Sequence, residues 1–449
     1  MSKQTTERRR IGPILLSPGV TPGQIGVFLV VITITSLLFN FVSIIQPYLF
    51  SEIMHVPLKE QGRLTGFLNM VQYAAVAVCI IGAGGLSDKI GRKPVLVMAM
   101  VGFIVTMVLL PLASAVFAMV LLRIFLGVAS TGHTAGGATI MVDYPDNKSR
   151  GKFITLMLVV QSVATALLAG RLLPQLPGWL LAHGFSRVDA TRISLWTLAA
   201  FGVVGVLIAV FFLKPPPRHT PKGGEKVSLK SVAASARQVL ALSKSDPAFG
   251  LVVLLGFVIR SDYFVTLSFL SVWVMDASKL AGVSAPAALK TVGLLQVVLY
   301  MAMAFGPLLF GFVADRVNRI YMLIATLFFA AIAFASTLFI HNVAGLGMIV
   351  VVGLIGMAET AQTVASQAVF GERAPPEIRG SAMGFFVLMG TISVIVVSGL
   401  AGLLFDKIGF TAPFMFLSLL NLAFAIAAVF LTVRRKGGER RLAAVKAAA

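Results

Sequence analysis

Five ionisable side chains stand inside long apolar stretches of the sequence: Arg123, His133, Arg260, Asp262 and Glu359. A charge at the centre of a lipid bilayer costs about 2.5–3.5 kcal/mol on insertion scales, so each of these residues needs a reason to be there. Such side chains can bind a charged solute, and a carboxylate can also take up and release a proton. Asp262 and Glu359 are the two candidate proton carriers. Glu359 is preferred because further polar residues follow it on the same helical face.

Helical spacing groups these charges with uncharged polar neighbours, because residues at i, i+4, i+7 and i+11 share one face of a helix. Arg260 and Asp262 are two positions apart, so they point to nearly opposite faces. Four polar stripes result: Ser36, Asn40, Ser43 and Pro47; Arg123, Gly127, Ser130 and Thr134; Arg260, Tyr263, Leu267 and Ser271; and Glu359, Gln362 and Ser366.

Simpler roles stay open for several of these residues. Small hydroxyl side chains also help membrane helices to pack against each other. A buried ion pair between Arg260 and Glu359 could hold the helices together without any part in function. His133 lies off the Arg123 stripe, so a packing role and a proton-relay role are both open.

The composition places the whole chain in a membrane. Mean hydropathy is +0.94, and 58% of the 449 residues are hydrophobic while 12% are charged. A soluble domain of this length could not bury so much apolar surface. The net charge of +20 lies in loops between apolar runs, which indicates membrane topology and not a nucleic-acid partner. A single cysteine, Cys79, excludes a disulfide framework and a cysteine metal site.

Twelve apolar runs reach the roughly 20 residues that a membrane-spanning helix needs. Lys and Arg are concentrated in alternate loops and in both tails, which places both termini in the cytoplasm. The predicted organisation is a cytoplasmic N-terminal tail (1–26), a six-helix bundle (27–213), a cytoplasmic linker with an amphipathic helix (214–247), a second six-helix bundle (248–433) and a cytoplasmic C-terminal tail (434–449).

The segment GGLSDKIGRKP, which begins at Gly84 and ends at Pro94, separates the second and third runs. It predicts a tight hairpin, in which Gly84 allows a close helix approach, Gly91 supplies the turn and Pro94 opens the next helix. The pattern G-x-L-S-D-K-x-G-R-K resembles the signature between the second and third helices of the major facilitator superfamily of secondary transporters. The run RIFLG, from Arg123, resembles a fourth-helix signature of its proton-coupled members.

The resemblance implies an all-α integral membrane protein with twelve transmembrane helices in two pseudo-symmetric six-helix bundles. In that superfamily, helices one, four, seven and ten line a central cavity, and the four polar stripes lie on those helices. The resemblance therefore implies a substrate and proton pathway at Asn40, Arg123, Thr134, Arg260, Asp262, Tyr263, Glu359 and Gln362.

The hairpin motif further implies a conformational latch formed by Gly84, Asp88, Gly91, Arg92 and Lys93. By resemblance, Asp88 would face the start of the eleventh helix and Arg92 would reach Asp143 below the fourth. Opening and closing these contacts would let two bundles rock. A hairpin needed only for correct membrane insertion is the simpler alternative.

The chain also repeats itself, and the second copy supplies further latch candidates. Asp143 with Arg150 recurs at the same spacing as Glu372 with Arg379, and Gly84 with Asp88 recurs as Gly311 with Asp315, followed by Arg316. Two repeats related by an axis along the membrane normal are typical of this superfamily.

The sequence thus predicts a secondary active transporter that moves a small solute by rocker-switch alternating access, coupled to protons. Alternatives are a facilitative uniporter, an exporter of amphipathic, lipid-like or drug-like compounds, and, more distantly, a channel or a receptor without transport. A pump or hydrolase is disfavoured because the phosphate loop G-x-x-x-x-G-K-[ST] and H-E-x-x-H are both absent. The charged residues leave open whether the substrate is anionic, zwitterionic or cationic.

The sequence also leads to expectations about binding partners, oligomeric state and cellular location. We expect a small-molecule substrate, membrane lipids, no nucleic acid, no metal site, and no cofactor or catalytic residues, with H⁺ as the coupling ion. Short loops and tails favour a bacterial inner membrane, and the resemblance to the superfamily implies a monomer.

Overall fold

A computed structural model describes residues 10–146, 149–214, 229–314, 316–375 and 378–448. Within these residues, twelve helices are long and apolar enough to span a membrane, which confirms the predicted fold class. In order, spans 1 to 12 are Pro22–Glu52, Leu58–Ile90, Arg92–Leu112, Val116–Asp143, Arg150–Ala182, Arg187–Phe212, Pro247–Leu280, Ala285–Val313, Arg319–Phe339, Leu346–Arg373, Ser381–Lys407 and Ala412–Arg434.

Local sequence accounts for where the spans begin and end. Span 1 begins after Thr21, whose side chain accepts from the Gln24 backbone N–H while the Gln24 side chain accepts from the Thr21 N–H. This reciprocal cap satisfies two donors that a helix start otherwise leaves unpaired. Span 2 ends at Ile90 because Gly91 has a φ of 99°, a conformation that favours glycine. Gly91 therefore supplies the predicted turn.

The chain folds into two compact units, each packed mainly within itself. The first unit comprises Met1–Val227 and Leu267–Ala304, and the second comprises Ser228–Thr266 and Phe305–Ala449. Residues 267–304, which form parts of spans 7 and 8, belong to the first unit. The predicted bounds of the two six-helix bundles stay a prediction.

Two contacts within the first unit show how these residues are held. The Asn69 side-chain amide of span 2 donates to the Ser268 hydroxyl at 3.0 Å. Spans 5 and 8 meet at glycines, since a Cβ added to Gly293 would touch the Gly170 carbonyl oxygen and would lie 2.9 Å from the Pro174 ring. Only residues without side chains allow two helix backbones to come so close.

An N-terminal strap, residues 10–20, also belongs to the first unit. Its short hairpin, Arg10–Ile11 paired with Ile14–Leu15, lies within the segment that the sequence predicts as a tail. Leu16 is fully buried, and the Leu15 N–H donates to the Ser149 hydroxyl at 2.9 Å. The Ser17 N–H donates to the Tyr144 carbonyl at 2.9 Å. The strap is therefore packed against the segment that joins spans 4 and 5.

The second unit includes the helix Leu229–Ser245, which the sequence predicts as an amphipathic linker helix. Val239 on this helix is buried in an apolar core with Phe249 and Val252 of span 7, whereas Leu240 is exposed. The apolar face of the linker helix thus packs partly on the protein.

We expect Gly293→Ala to lower the free energy of unfolding by about 1–3 kcal/mol, because the added Cβ meets backbone and a proline ring that cannot move aside. Thermal melting of the purified protein in detergent measures this. Gly151→Ala is the matched control, since no described atom lies within 4 Å of a Cβ there. Equal melting temperatures for the two variants would contradict the close contact.

Candidate functional site

Four polar residues form a buried cluster in the second unit. Asp262 lies on span 7, Glu359 and Gln362 on span 10, and Asn421 on span 12, and each is at most 4% exposed. Glu359 and Gln362 are three residues apart and so share one helical face. Three helices thus bring two carboxylates and two amides together inside an otherwise apolar core.

Asn421 connects the members of this cluster. Its Nδ2 donates to Asp262 Oδ2 at 2.9 Å and also to the Leu417 carbonyl at 3.0 Å. Its Oδ1 accepts a short hydrogen bond from Gln362 Nε2. One amide therefore holds Asp262 to span 10, and Asn421 was not among the residues that the sequence analysis selected.

Glu359 is placed differently from Asp262. The two carboxylates are close enough for their charges to repel. The Thr266 side chain approaches Glu359, but neither Glu359 oxygen has a hydrogen bond of ordinary geometry within the described residues. Asp262 Oδ1 and Gln362 Oε1 are also buried acceptors without a hydrogen bond of ordinary geometry within the described residues. The cluster therefore has more acceptors than donors, so it is suited to take up protons.

Arg260 occupies a different face of span 7. It is exposed, its guanidinium carbon lies 4.8 Å from the centre of the Phe264 ring, and its stem lies beside Gly390. Tyr263 is half-buried, with its ring edge-on to Phe264 at 5.1 Å. The ion pairs of the described residues do not include one between Arg260 and Glu359, which leaves the structural-pair alternative unsupported.

Arg123 is the buried cation of the first unit. It is 2% exposed, and its Nη1 donates to Gln72 Oε1 of span 2 at 2.6 Å. Within the described residues, its Nε and Nη2 have no hydrogen-bond partner. Gly127, one turn further on, packs against the Gln72 backbone. This part of the stripe therefore faces span 2.

The other first-unit candidates show mixed environments. Asn40 is half-buried on span 1, and Ser36, one turn earlier, donates to Gln161 Oε1 of span 5 at 3.1 Å. Thr134 is exposed and donates to the Ser130 carbonyl of its own helix at 3.1 Å. His133 is half-buried, with its ring centre 6.2 Å from that of Phe103.

The hairpin candidates lie at one end of the first unit. Arg92 forms an ion pair with Asp143, the contact that the motif implied. Lys93 Nζ donates to the Val210 carbonyl of span 6 at 2.7 Å, and Asp88 is exposed. Apart from the backbone of its own helix, no described residue comes within 4 Å of a Cβ placed on Gly84, so the predicted close helix approach is not observed at this position.

The second repeat contains an equivalent ion pair that the sequence analysis missed. Arg319, at the start of span 9, lies 3.7 Å from Glu372 near the end of span 10. Arg92 stands four residues after Asp88, and Arg319 stands four residues after Asp315. Both pairs thus join equivalent positions, and the repeat spacing could have identified Arg319.

The remaining latch candidates make other contacts or lie outside the described residues. Arg316 stacks over the Phe312 ring at 3.6 Å, and Arg379 donates to the Gly371 and Ala374 carbonyls at 3.2 and 3.1 Å. Arg150 is half-buried at the start of span 5. Asp315 is the candidate that falls outside the described ranges.

We expect Asn421→Leu to lower the free energy of unfolding by about 1–3 kcal/mol, because it removes the amide donor from buried Asp262. Thermal melting in detergent measures the change. Thr432→Ala, on the same helix, removes only one bond within the helix and is the control. If both variants melt at the wild-type temperature, the amide bridge contributes nothing to stability.

Known proteins resemble this chain over almost its whole length. Magnetosome protein MamH of Paramagnetospirillum magneticum is 24% identical over 408 residues, covering 88% of this chain and 89% of that protein. Magnetosome protein MamZ of Magnetospirillum gryphiswaldense is 24% identical over 431 residues, covering 89% of this chain and 61% of its own length. The chain thus spans about three fifths of MamZ.

A solved structure of the nucleoside transporter NupG, in a mutant form, superposes with a TM-score of 0.70 over 91% of this chain and 99% of that one, at 14% identity. The family model described as Major Facilitator Superfamily matches residues 25–290 and 252–448. These two matches cover both sets of spans. The chain therefore belongs to the Major Facilitator Superfamily, a family of membrane transporters.

Proposed function

We propose that the protein is a secondary active transporter that moves a small solute by alternating access and couples this movement to protons. The observation that carries the proposal is the buried cluster of Asp262, Glu359, Gln362 and Asn421. Two ionised carboxylates that cannot reach water are stable only beside a cation or after taking up a proton. The described neighbours in this cluster offer only amides and a hydroxyl, which leaves the proton.

The surroundings of the two carboxylates support different roles for them. Asp262 receives the Asn421 amide, and hydrogen bonds of this kind favour an ionised carboxylate. Glu359 receives no well-formed hydrogen bond from the described residues, so charge on it is less well compensated. We therefore assign the transported proton to Glu359 and a supporting role to Asp262, Gln362 and Asn421.

The two repeated ion pairs support the mechanical part of the proposal. Arg92 with Asp143 and Arg319 with Glu372 each tie the start of one span to the end of the next at equivalent places in the repeat. Each pair can fix its own hairpin while the unit moves as a body. Asp88, which is exposed, keeps its predicted role in the latch.

The proposal includes the expected setting of the protein. We place both termini in the cytoplasm, because the basic residues lie in the tails and in alternate loops. A bacterial inner membrane and a monomeric state complete this setting. Its partners are a small-molecule substrate and membrane lipids, its coupling ion is H⁺, and it carries out no catalysis.

Glu359→Gln tests the coupling. The glutamine keeps the size of the side chain but cannot carry a proton, so we expect solute accumulation driven by a pH gradient to fall at least tenfold in proteoliposomes, while exchange without a gradient continues. Solutes are first selected by thermal shift. Glu60→Gln, which changes an exposed carboxylate at the start of span 2 that has no assigned role, is the control. Gradient-driven accumulation that survives Glu359→Gln contradicts the assignment, and wild-type flux indifferent to the gradient indicates a uniporter.

Asp88→Asn tests alternating access. Loss of the carboxylate should slow the change between conformations, so we expect transport to fall at least tenfold while solute binding in detergent stays within twofold. Asp189→Asn, an exposed carboxylate at the start of span 6, is the control. Unchanged flux in Asp88→Asn would favour a channel, which has no need to rock.

A further inference from the structure

Arg123 is a buried cation for which the described residues provide no counter-ion. The acidic residues that form ion pairs in the first unit do so with other partners: Asp143 with Arg92, Glu52 with Arg187 and Asp189 with Arg192. The only described hydrogen-bond partner of Arg123 is the neutral Gln72. The guanidinium cannot discharge itself by losing a proton at any ordinary pH.

The geometry of the unpaired groups points to a particular ligand. Nη1 is occupied by Gln72, whereas Nε and Nη2, which share one edge of the guanidinium, have no partner within the described residues. This edge presents two parallel N–H groups, the arrangement that binds a carboxylate at both oxygens. Gln72 fixes the plane of the guanidinium, and Gly127 lets span 4 approach the span 2 backbone beside it.

Charge selects between possible anions. Arg123 offers one positive charge, and the phenol of Tyr73, whose charge would act on Arg123, offers no second one. A carboxylate would be neutralised by this single charge, whereas a phosphate ester with nearly two charges would need a second cation in the same buried place.

We propose that Arg123 binds the carboxylate of an organic monocarboxylate substrate through Nε and Nη2, and that Gln72 is the residue that positions it. This inference rests on the proposed transport function and names its substrate class. A carboxylate taken up together with one proton would cross the membrane without net charge, which agrees with the proposed coupling to protons.

Binding in detergent, with no gradient present, tests the inference separately from coupling. Benzoate and hexanoate are compared with benzamide and hexanamide, which have almost the same shape but no charge, and with phenyl phosphate. We expect at least one carboxylate to raise the melting temperature of the wild type while its amide does not. Arg123→Lys keeps the charge but loses the two-point edge, so the apparent affinity should fall at least tenfold.

Two further variants guard against an effect on folding alone. Arg171→Gln removes an exposed arginine of span 5 and should leave carboxylate binding unchanged. Gln72→Glu supplies an internal carboxylate beside Arg123, so the ligand-free protein should melt at a higher temperature and respond less to added benzoate or hexanoate.

Several outcomes would overturn the assignment: amides that stabilise as well as carboxylates, a preference for phenyl phosphate, full binding by Arg123→Lys, or no response to either carboxylate at millimolar concentration. None of these depends on Glu359, so loss of coupling in Glu359→Gln with carboxylate binding intact leaves this inference standing. Conversely, failure of carboxylate binding leaves proton coupling to another solute class open to the Glu359→Gln experiment.

Discussion

The second unit depends on how two acidic side chains are kept inside an apolar helix bundle. Asp262 is tolerable there because an amide on another span donates to it, and that amide is itself held by Gln362. Removing any partner leaves a buried polar group unpaired, which is expensive in a medium of low dielectric constant. The orientation of three spans about their axes is thereby fixed. Glu359 lies beside this network, and neither of its carboxylate oxygens has a hydrogen bond of ordinary geometry within the described residues.

The same constraint explains what the sequence could predict. Long apolar runs can only be spanning helices, and rare charges within them are informative because each is costly. Helical period then placed Glu359 and Gln362 on one face, and the structure brings both to Asp262. Asn421 escaped because neither it nor Ser418, three residues earlier on the same face of span 12, carries a charge, so both look like packing residues. A period identifies a face of a helix, but it does not identify which neighbour covers that face. Gly127 shows the difference, since it lies against span 2.

The internal repeat predicts contacts in the second half of the chain that the hairpin motif alone does not predict. The hairpin signature is degraded in the second half, yet the ion pair survives as Arg319 with Glu372. Both partners of that pair are substantially exposed, and exposed pairs add only about 0–1 kcal/mol to stability, so their value lies in setting the geometry of a chain reversal. Arg316 was selected because it follows Asp315 directly, but the residue that forms the ion pair is Arg319, whose position in the repeat is equivalent to that of Arg92. The symmetry between the two halves is thus preserved better in this contact than in the amino-acid sequence of the hairpin.

The N-terminal strap has a consequence for biogenesis. Leu15 bonds to Ser149, a residue 134 positions further along the chain. At synthesis rates of about 5–20 residues per second, the ribosome needs roughly 7–27 s to make that distance. During this time the four spans between the strap and Ser149 are made, while the strap has no partner segment to dock against. The strap is therefore made well before the segment that it packs against, and a chain arrested before the fifth span would carry the strap undocked.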